Sequence, residues 1–422
     1  MGTQIQRQLN IAGSLLLALL GMGLSMMPSP SVAQQADYFK KYGSTVSIII
    51  KIGASPHPGE LRSIDPKVGK IQCFDNTLGG GVTFELSRLE KQQVKSFDYV
   101  WPKTTLRALG YAINEQYELI TPAVLAEMRG VMYPLLHYLE IPNKYFNIHE
   151  QSLAFVKLLI TKEQYTEALV LLGTINLNAL EKAGYREFSD VALGLVAKVI
   201  STNPGFIAPA LKLLAKVNVR PTNGEDHQAM LELGDSLRKL RQYTYSIKVY
   251  DRLAIIMAPL PASPIKERAR LWPIYCYFKV YAAYASRPDP DSQKLARQYL
   301  NTARAYLARI DKKPPDRIAN EYSLYKLLRA LLYLNYARMQ ERSGATEASE
   351  AYYNQSVIEV TEGIVSSRVG LDWLPEALLM AAHGYEKLSA KESAKNVYLQ
   401  MQAFYKGTQW EAIATKKLGA SP

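Results

Sequence analysis

Met230-Leu-Glu-Leu-Gly-Asp-Ser-Leu237 and, five residues on, Tyr243-Thr-Tyr-Ser-Ile-Lys-Val-Tyr250 decide how the chain folds. Met230, Leu233 and Leu237 recur at i, i+3 and i+7, and Tyr243, Ser246 and Tyr250 repeat that spacing, so each segment is an amphipathic helix. Gly234 and Ser246 are small enough for the two helix backbones to approach closely. Leucine and tyrosine at the other inward positions fill the space between one hairpin and the next. Neither helix can bury its apolar face alone, so the pattern calls for stacked hairpins.

Three further segments superpose on this one. They are Val156-x2-Leu159 with Tyr165-x2-Ala168-x3-Leu172, Leu332-x3-Tyr336-x2-Met339 with Ala348-x3-Tyr352, and Leu378-x2-Ala381-Ala382-x2-Tyr385 with Ala394-x3-Tyr398. The set resembles the tetratricopeptide repeat, and the resemblance implies a helical-hairpin α-solenoid over residues 150–420. The run Ala403 to Trp410, followed by Ala412, Ala414 and Leu418, is similar to the passage between repeats in envelope-assembly proteins of that kind. The small second-helix positions 168, 246, 348 and 394 lie 78, 102 and 46 residues apart, so the repeats are irregular. Ala192 to Pro221 and Lys266 to Ile310 read as hairpins without the full signature.

Upstream, the period changes near residue 105. Val46 to Ile52 (VSIIIKI), Lys70 to Phe74 (KIQCF), Val82 to Leu86 (VTFEL) and Val94 to Trp101 (VKSFDYVW) are short and rich in β-branched or aromatic residues, and turn residues separate them. They predict a small antiparallel sheet or barrel over residues 34–104. Pro56, Pro58 and Gly59 read as connecting segment. Gly79-Gly80-Gly81 lacks the Lys-Ser/Thr and following helix of a phosphate loop and reads as a hairpin turn. Residues 105–149 are connecting helices. The expected class is therefore α+β, mostly α.

The first 33 residues read as an address. Arg7 precedes the apolar run Ile11–Met27, Pro28 and Pro30 break it, and Ser31-Val32-Ala33 offers small residues for cleavage after Ala33. The expectation is export to the periplasm or beyond, with no membrane span once the signal is removed. In such a compartment Cys73 and Cys276 are free to pair, but their apolar neighbours favour two buried thiols.

Little chemistry is legible. Two cysteines exclude a disulfide-dense scaffold and a zinc–thiolate cluster, and His57, His137, His149, His227 and His383 have no ligand-like spacing. Ser236-x-x-Lys239 and Ser201-Thr202-Asn203 match penicillin-recognising motifs in the wrong order, and no Lys-Thr-Gly follows. No enzyme, metal or cofactor is expected.

Charge and tyrosine are more informative. The 422-residue chain carries +12 and 28 tyrosines. Residues 34–150 are nearly balanced, with 13 Lys+Arg against 12 Asp+Glu, whereas residues 151–422 hold 36 against 26. Lys294, Arg297 and Arg304 recur on one helix face, and Tyr277, Tyr281 and Tyr284 on the helix before it. These six are the candidate partner-binding residues. The expected role is an extracytoplasmic scaffold that docks an envelope protein or an acidic, extended peptide, without nucleic acid. The alternative is a module that binds an anionic polymer such as a wall glycan.

Overall fold

Alternation at Val46, Ile48 and Ile50 puts three β-branched side chains on one face of strand β1 (Val46–Ile52), and all three are buried. Strands β2 (Ser55–Asp65), β3 (Lys70–Asp75), β4 (Gly80–Glu85) and β5 (Val94–Tyr99) complete a five-stranded antiparallel sheet of order β4-β3-β2-β1-β5. The computed structural model describes residues 41–65, 68–202, 204–367 and 371–419, so the export signal proposed for residues 1–33 lies outside the described residues.

Strand β2 corrects the sequence reading, which took its prolines for a loop. Pro56 and Pro58 pair with Lys51 and Ile49 of β1, but β3 begins to pair only at Gly59. The Pro58 carbonyl accepts from the Asn76 amide, so its missing N–H faces away from β1 and no ladder bond is lost. Gly59 is required here: a Cβ on it would lie 2.4 Å from the Phe74 carbonyl oxygen. Gly79, at φ +65°, turns the β3–β4 hairpin as expected. The inward face of the sheet carries Leu61, Ile71, Cys73, Phe84 and Phe97. Beyond the sheet edge, the Phe97 amide bonds the Tyr145 carbonyl, and Tyr138 donates to the Ser44 carbonyl at 2.6 Å.

Sixteen helices follow among the described residues. They are α1 (Lys103–Ile113), α2 (Pro122–Leu136), α3 (His149–Thr161), α4 (Tyr165–Thr174), α5 (Leu177–Lys182), α6 (Glu187–Thr202), α7 (Ile207–Leu214), α8 (Gly224–Lys239) and α9 (Tyr243–Met257), then α10 (Pro264–Ala285), α11 (Pro290–Asp311), α12 (Asn320–Arg342), α13 (Thr346–Val365), α14 (Leu374–Lys387), α15 (Lys391–Phe404) and α16 (Gln409–Gly419). The chain divides into two compact units between Asn218 and Val219. The change of period near residue 105 therefore falls inside the first unit, which holds the sheet with α1–α7.

Four hairpins, α3–α4, α8–α9, α12–α13 and α14–α15, close with one turn. The second residue past the end of the first helix is left-handed in each: Glu163 (φ 58°), Arg241 (φ 59°), Gly344 (φ 79°) and Ser389 (φ 60°). The next amide reaches back five residues, Gln164 to Leu159, Gln242 to Leu237, Ala345 to Gln340 and Ala390 to Tyr385, at 2.8 to 3.0 Å. This six-to-one bond satisfies a carbonyl that the helix end leaves open. The small position of the second helix comes five residues after the turn: Ala168, Ser246, Ser349 and Ala394.

The turn shifts the third segment by one residue. Its small and aromatic positions are Ser349 and Tyr353, not Ala348 and Tyr352, facing Ala337. Ser246 donates to the Gly234 carbonyl at 2.8 Å, and Ser349 makes the same bond to Ala337 at 3.0 Å. Sequence spacing leaves this register ambiguous because Tyr352 and Tyr353 are adjacent and either completes the pattern. At Gly234 a Cβ would lie 2.4 Å from the Tyr250 ring, so the space is already filled.

In the second unit each helix from α8 to α15 packs on its successor, though α11 touches α12 only lightly, and α16 closes the last hairpin through Ala414 beside Tyr398 and Met401. A row of cations and indoles ties the first helices of the hairpins together. Arg238 of α8 lies 3.7 Å over the Trp272 ring of α10, Trp272 meets Trp373 edge-on at 5.7 Å, and the Trp373 indole donates to Ser323 of α12. Cys73 and Cys276 are both buried and unpaired, and burial pushes both thiols up to about 12.

Candidate functional site

Tyrosine is amphipathic, so a helix that buries the ring keeps the hydroxyl near water. The second unit uses this repeatedly, holding 18 of the 28 tyrosines. Tyr277 and Tyr284 of α10 project against α11. There Tyr284 stacks on Tyr299 (centroids 5.8 Å, planes 6° apart), Tyr299 touches Tyr277 at 6.1 Å, and Tyr277 touches Tyr306 at 5.7 Å. All four rings are half-buried. Arg287 lies over Tyr284 at one end of this row and Arg309 over Tyr306 at the other. Burial pushes the Tyr277 hydroxyl up, helped by nearby Asp251, which burial itself raises to about 6.

The six candidate residues do not form one cluster. Tyr277 and Tyr284 join through Tyr299. Tyr281 is buried and lies in the field of Arg338 and Arg342 on α12. Arg304 leaves its helix neighbours and stacks over Tyr336 of α12, which in turn contacts Tyr352. Lys294 and Arg297 are exposed, with no carboxylate partner among the described residues. Sequence spacing missed Tyr299 and Tyr306, although both share α11 with the basic residues; the i, i+7 spacing of these tyrosines was the available signal.

A second feature was not foreseen. The opposite face of α12 (Leu331, Leu334 and Arg338) lines a cavity of about 300 Å³ with Leu379, Met380 and His383 of α14, Tyr398 of α15 and Lys417 of α16. Lys279 of α10 bridges to Glu376 at 2.5 Å, and Tyr275 donates to the other oxygen of that carboxylate. Lys417 pairs with Glu386 at 3.0 Å, and Tyr398 also donates to Glu386. Arg338 is half-buried and has no carboxylate partner among the described residues. Burial, and after it Arg338, lowers the His383 pKa, which keeps the imidazole neutral near pH 7.

Among the described residues no three His, Cys, Asp or Glu side chains gather as metal ligands, and no helix is long and apolar enough to cross a membrane. No protein-family model matches the chain, and no curated protein matches it significantly.

Proposed function

We propose that the chain is a tetratricopeptide-like docking protein that acts outside the cytoplasm and holds a partner protein on the tyrosine and arginine surface of α10–α13. Four hairpins with one turn and a small residue at one register, followed four residues on by tyrosine in three of them and by Leu172 in the first, support the repeat kinship. The observation that carries the docking role is the row Tyr284, Tyr299, Tyr277 and Tyr306, capped by Arg287 and Arg309. Half-buried rings lose little side-chain freedom on contact, and arginine beside them adds direction toward acidic groups; both residue types are enriched where proteins bind proteins. Exposed Lys294 and Arg297 extend the positive field along α11.

A photo-crosslinking residue placed at Tyr299 or Tyr306, and at Lys395 of α15 as control, tests this in intact cells. Discrete protein adducts at the first two positions and none at the third are expected. The double change Arg297→Glu and Arg304→Glu weakens them without altering the circular dichroism. Equal labelling at all three positions defeats the docking reading. Retention on purified wall polymer at low salt, with release at high salt and no protein adduct, transfers the role to the anionic polymer.

A further inference from the structure

We infer that the cavity between α10, α12, α14, α15 and α16 is a binding site for a small amphiphilic monoanion, a carboxylate on an apolar stem of about seven carbons. The charge balance sets the sign and number. Three cations reach the cavity: Lys279, Arg338 and Lys417. Glu376 answers Lys279 and Glu386 answers Lys417, so Arg338 is left over. His383 adds no charge near neutral pH because burial and the field of Arg338 hold it deprotonated. One unmatched, half-buried guanidinium asks for one negative group, and its planar fork suits a carboxylate held by two hydrogen bonds.

The walls set the remainder of the ligand. Leu331, Leu334, Leu379 and Met380 are apolar and lie beside Arg338, so the anion must carry a hydrocarbon portion. The volume of about 300 Å³ lies at the small end of the range of about 300–1,000 Å³ seen for ligand pockets, which suits a molecule of about ten heavy atoms. Octanoate has that size. Methionine in the wall allows adjustment to stems of slightly different length. This site lies on the face of α12 opposite Tyr333 and Tyr336, so it does not depend on the docking surface.

Titration calorimetry of the full chain with octanoate, octanol, octylammonium and acetate tests the assignment. Octanoate is expected to bind at least tenfold more tightly than octanol or acetate, and octylammonium not at all. Arg338→Gln should lower octanoate affinity tenfold or more and leave octanol affinity unchanged. Leu334→Trp, which fills the cavity, should abolish binding of both. Octanoate no tighter than octanol, or undiminished by Arg338→Gln, overturns the proposal. If either variant fails to fold, the ligand series on the unaltered chain still decides it. Tighter binding of a leucine-terminated peptide with a free carboxylate than of octanoate also overturns it, because the occupant is then a polypeptide end.

Discussion

The hairpin α3–α4 in the first unit and the hairpins α8–α9, α12–α13 and α14–α15 in the second have the same turn but different surroundings. In the first unit α4 is tied by the buried Glu167, which takes two bonds from Arg129 of α2 and one from the Tyr133 hydroxyl. Those partners lie 38 and 34 residues away, and the Tyr138–Ser44 bond joins residues still farther apart in sequence. In the second unit most packing is between neighbours in sequence. A left-handed residue and its six-to-one bond therefore close off the first helix of each hairpin and do not decide what the hairpin leans on. Where several follow one another they bury each other and leave half-buried tyrosines such as Tyr299 and Tyr306, and cations such as Lys294 and Arg297, toward the outside.

The largest expected effect that separates the two units is Gly234→Ala. The new methyl has no room beside Tyr250, and a rigid ring between packed helices gives way poorly, so a loss of about 3 kcal/mol is expected. Hydrogen exchange read by mass spectrometry should lose protection across α8–α16 and retain it across the sheet and α1–α7. Equal losses in both halves would show one cooperative block in place of two.

A smaller change probes the shared turn. Gly344→Ala should destabilise the second unit by about 1 kcal/mol, because alanine resists the left-handed region. Ser389→Gly should stabilise it by less than that, for the same reason with the sign reversed. Thermal denaturation followed by tryptophan fluorescence reports both, since Trp272, Trp373 and Trp410 lie in the second unit and only Trp101 in the first. If neither variant moves the midpoint, the turn is not what closes these hairpins.

The gentlest distinction is pH. Burial lowers the pKa of His137 and His149 in the first unit and of His383 in the second. As pH falls through about 6.5, the unfolded chain takes up these protons before the folded one, so folding weakens until the depressed folded values are passed. Asp251, raised to about 6 by burial, works the other way: its folded form binds the proton first and gains stability below that pH. The first unit, with two such histidines, should lose more protection between pH 7 and pH 5 than the second. A steeper loss in α8–α16 would reverse the comparison.

Much of this was legible in the residues. Period 3.6 after residue 105 places the helices, and period two places β1, β3, β4 and β5, because each element must turn one apolar face inward. Strand β2 was hidden because Pro56, Pro58 and Gly59 oppose strand formation locally. Only the early end of β3 and the close passage of Phe74 make them suitable. The register of the third hairpin was hidden by neighbouring tyrosines. For the surface, spacing on one helix found Tyr277 and Tyr284, while partners on other helices, such as Tyr336 for Arg304, needed coordinates.

The chain by itself therefore determined that it forms a small sheet and then helix hairpins with small residues where backbones meet, since periodicity and side-chain size act within a few turns. Tertiary structure alone decided which cations keep carboxylate partners and which, like Arg338, do not. The pairs beside the cavity, Lys279–Glu376 and Lys417–Glu386, join residues 97 and 31 positions apart, and no local pattern encodes them.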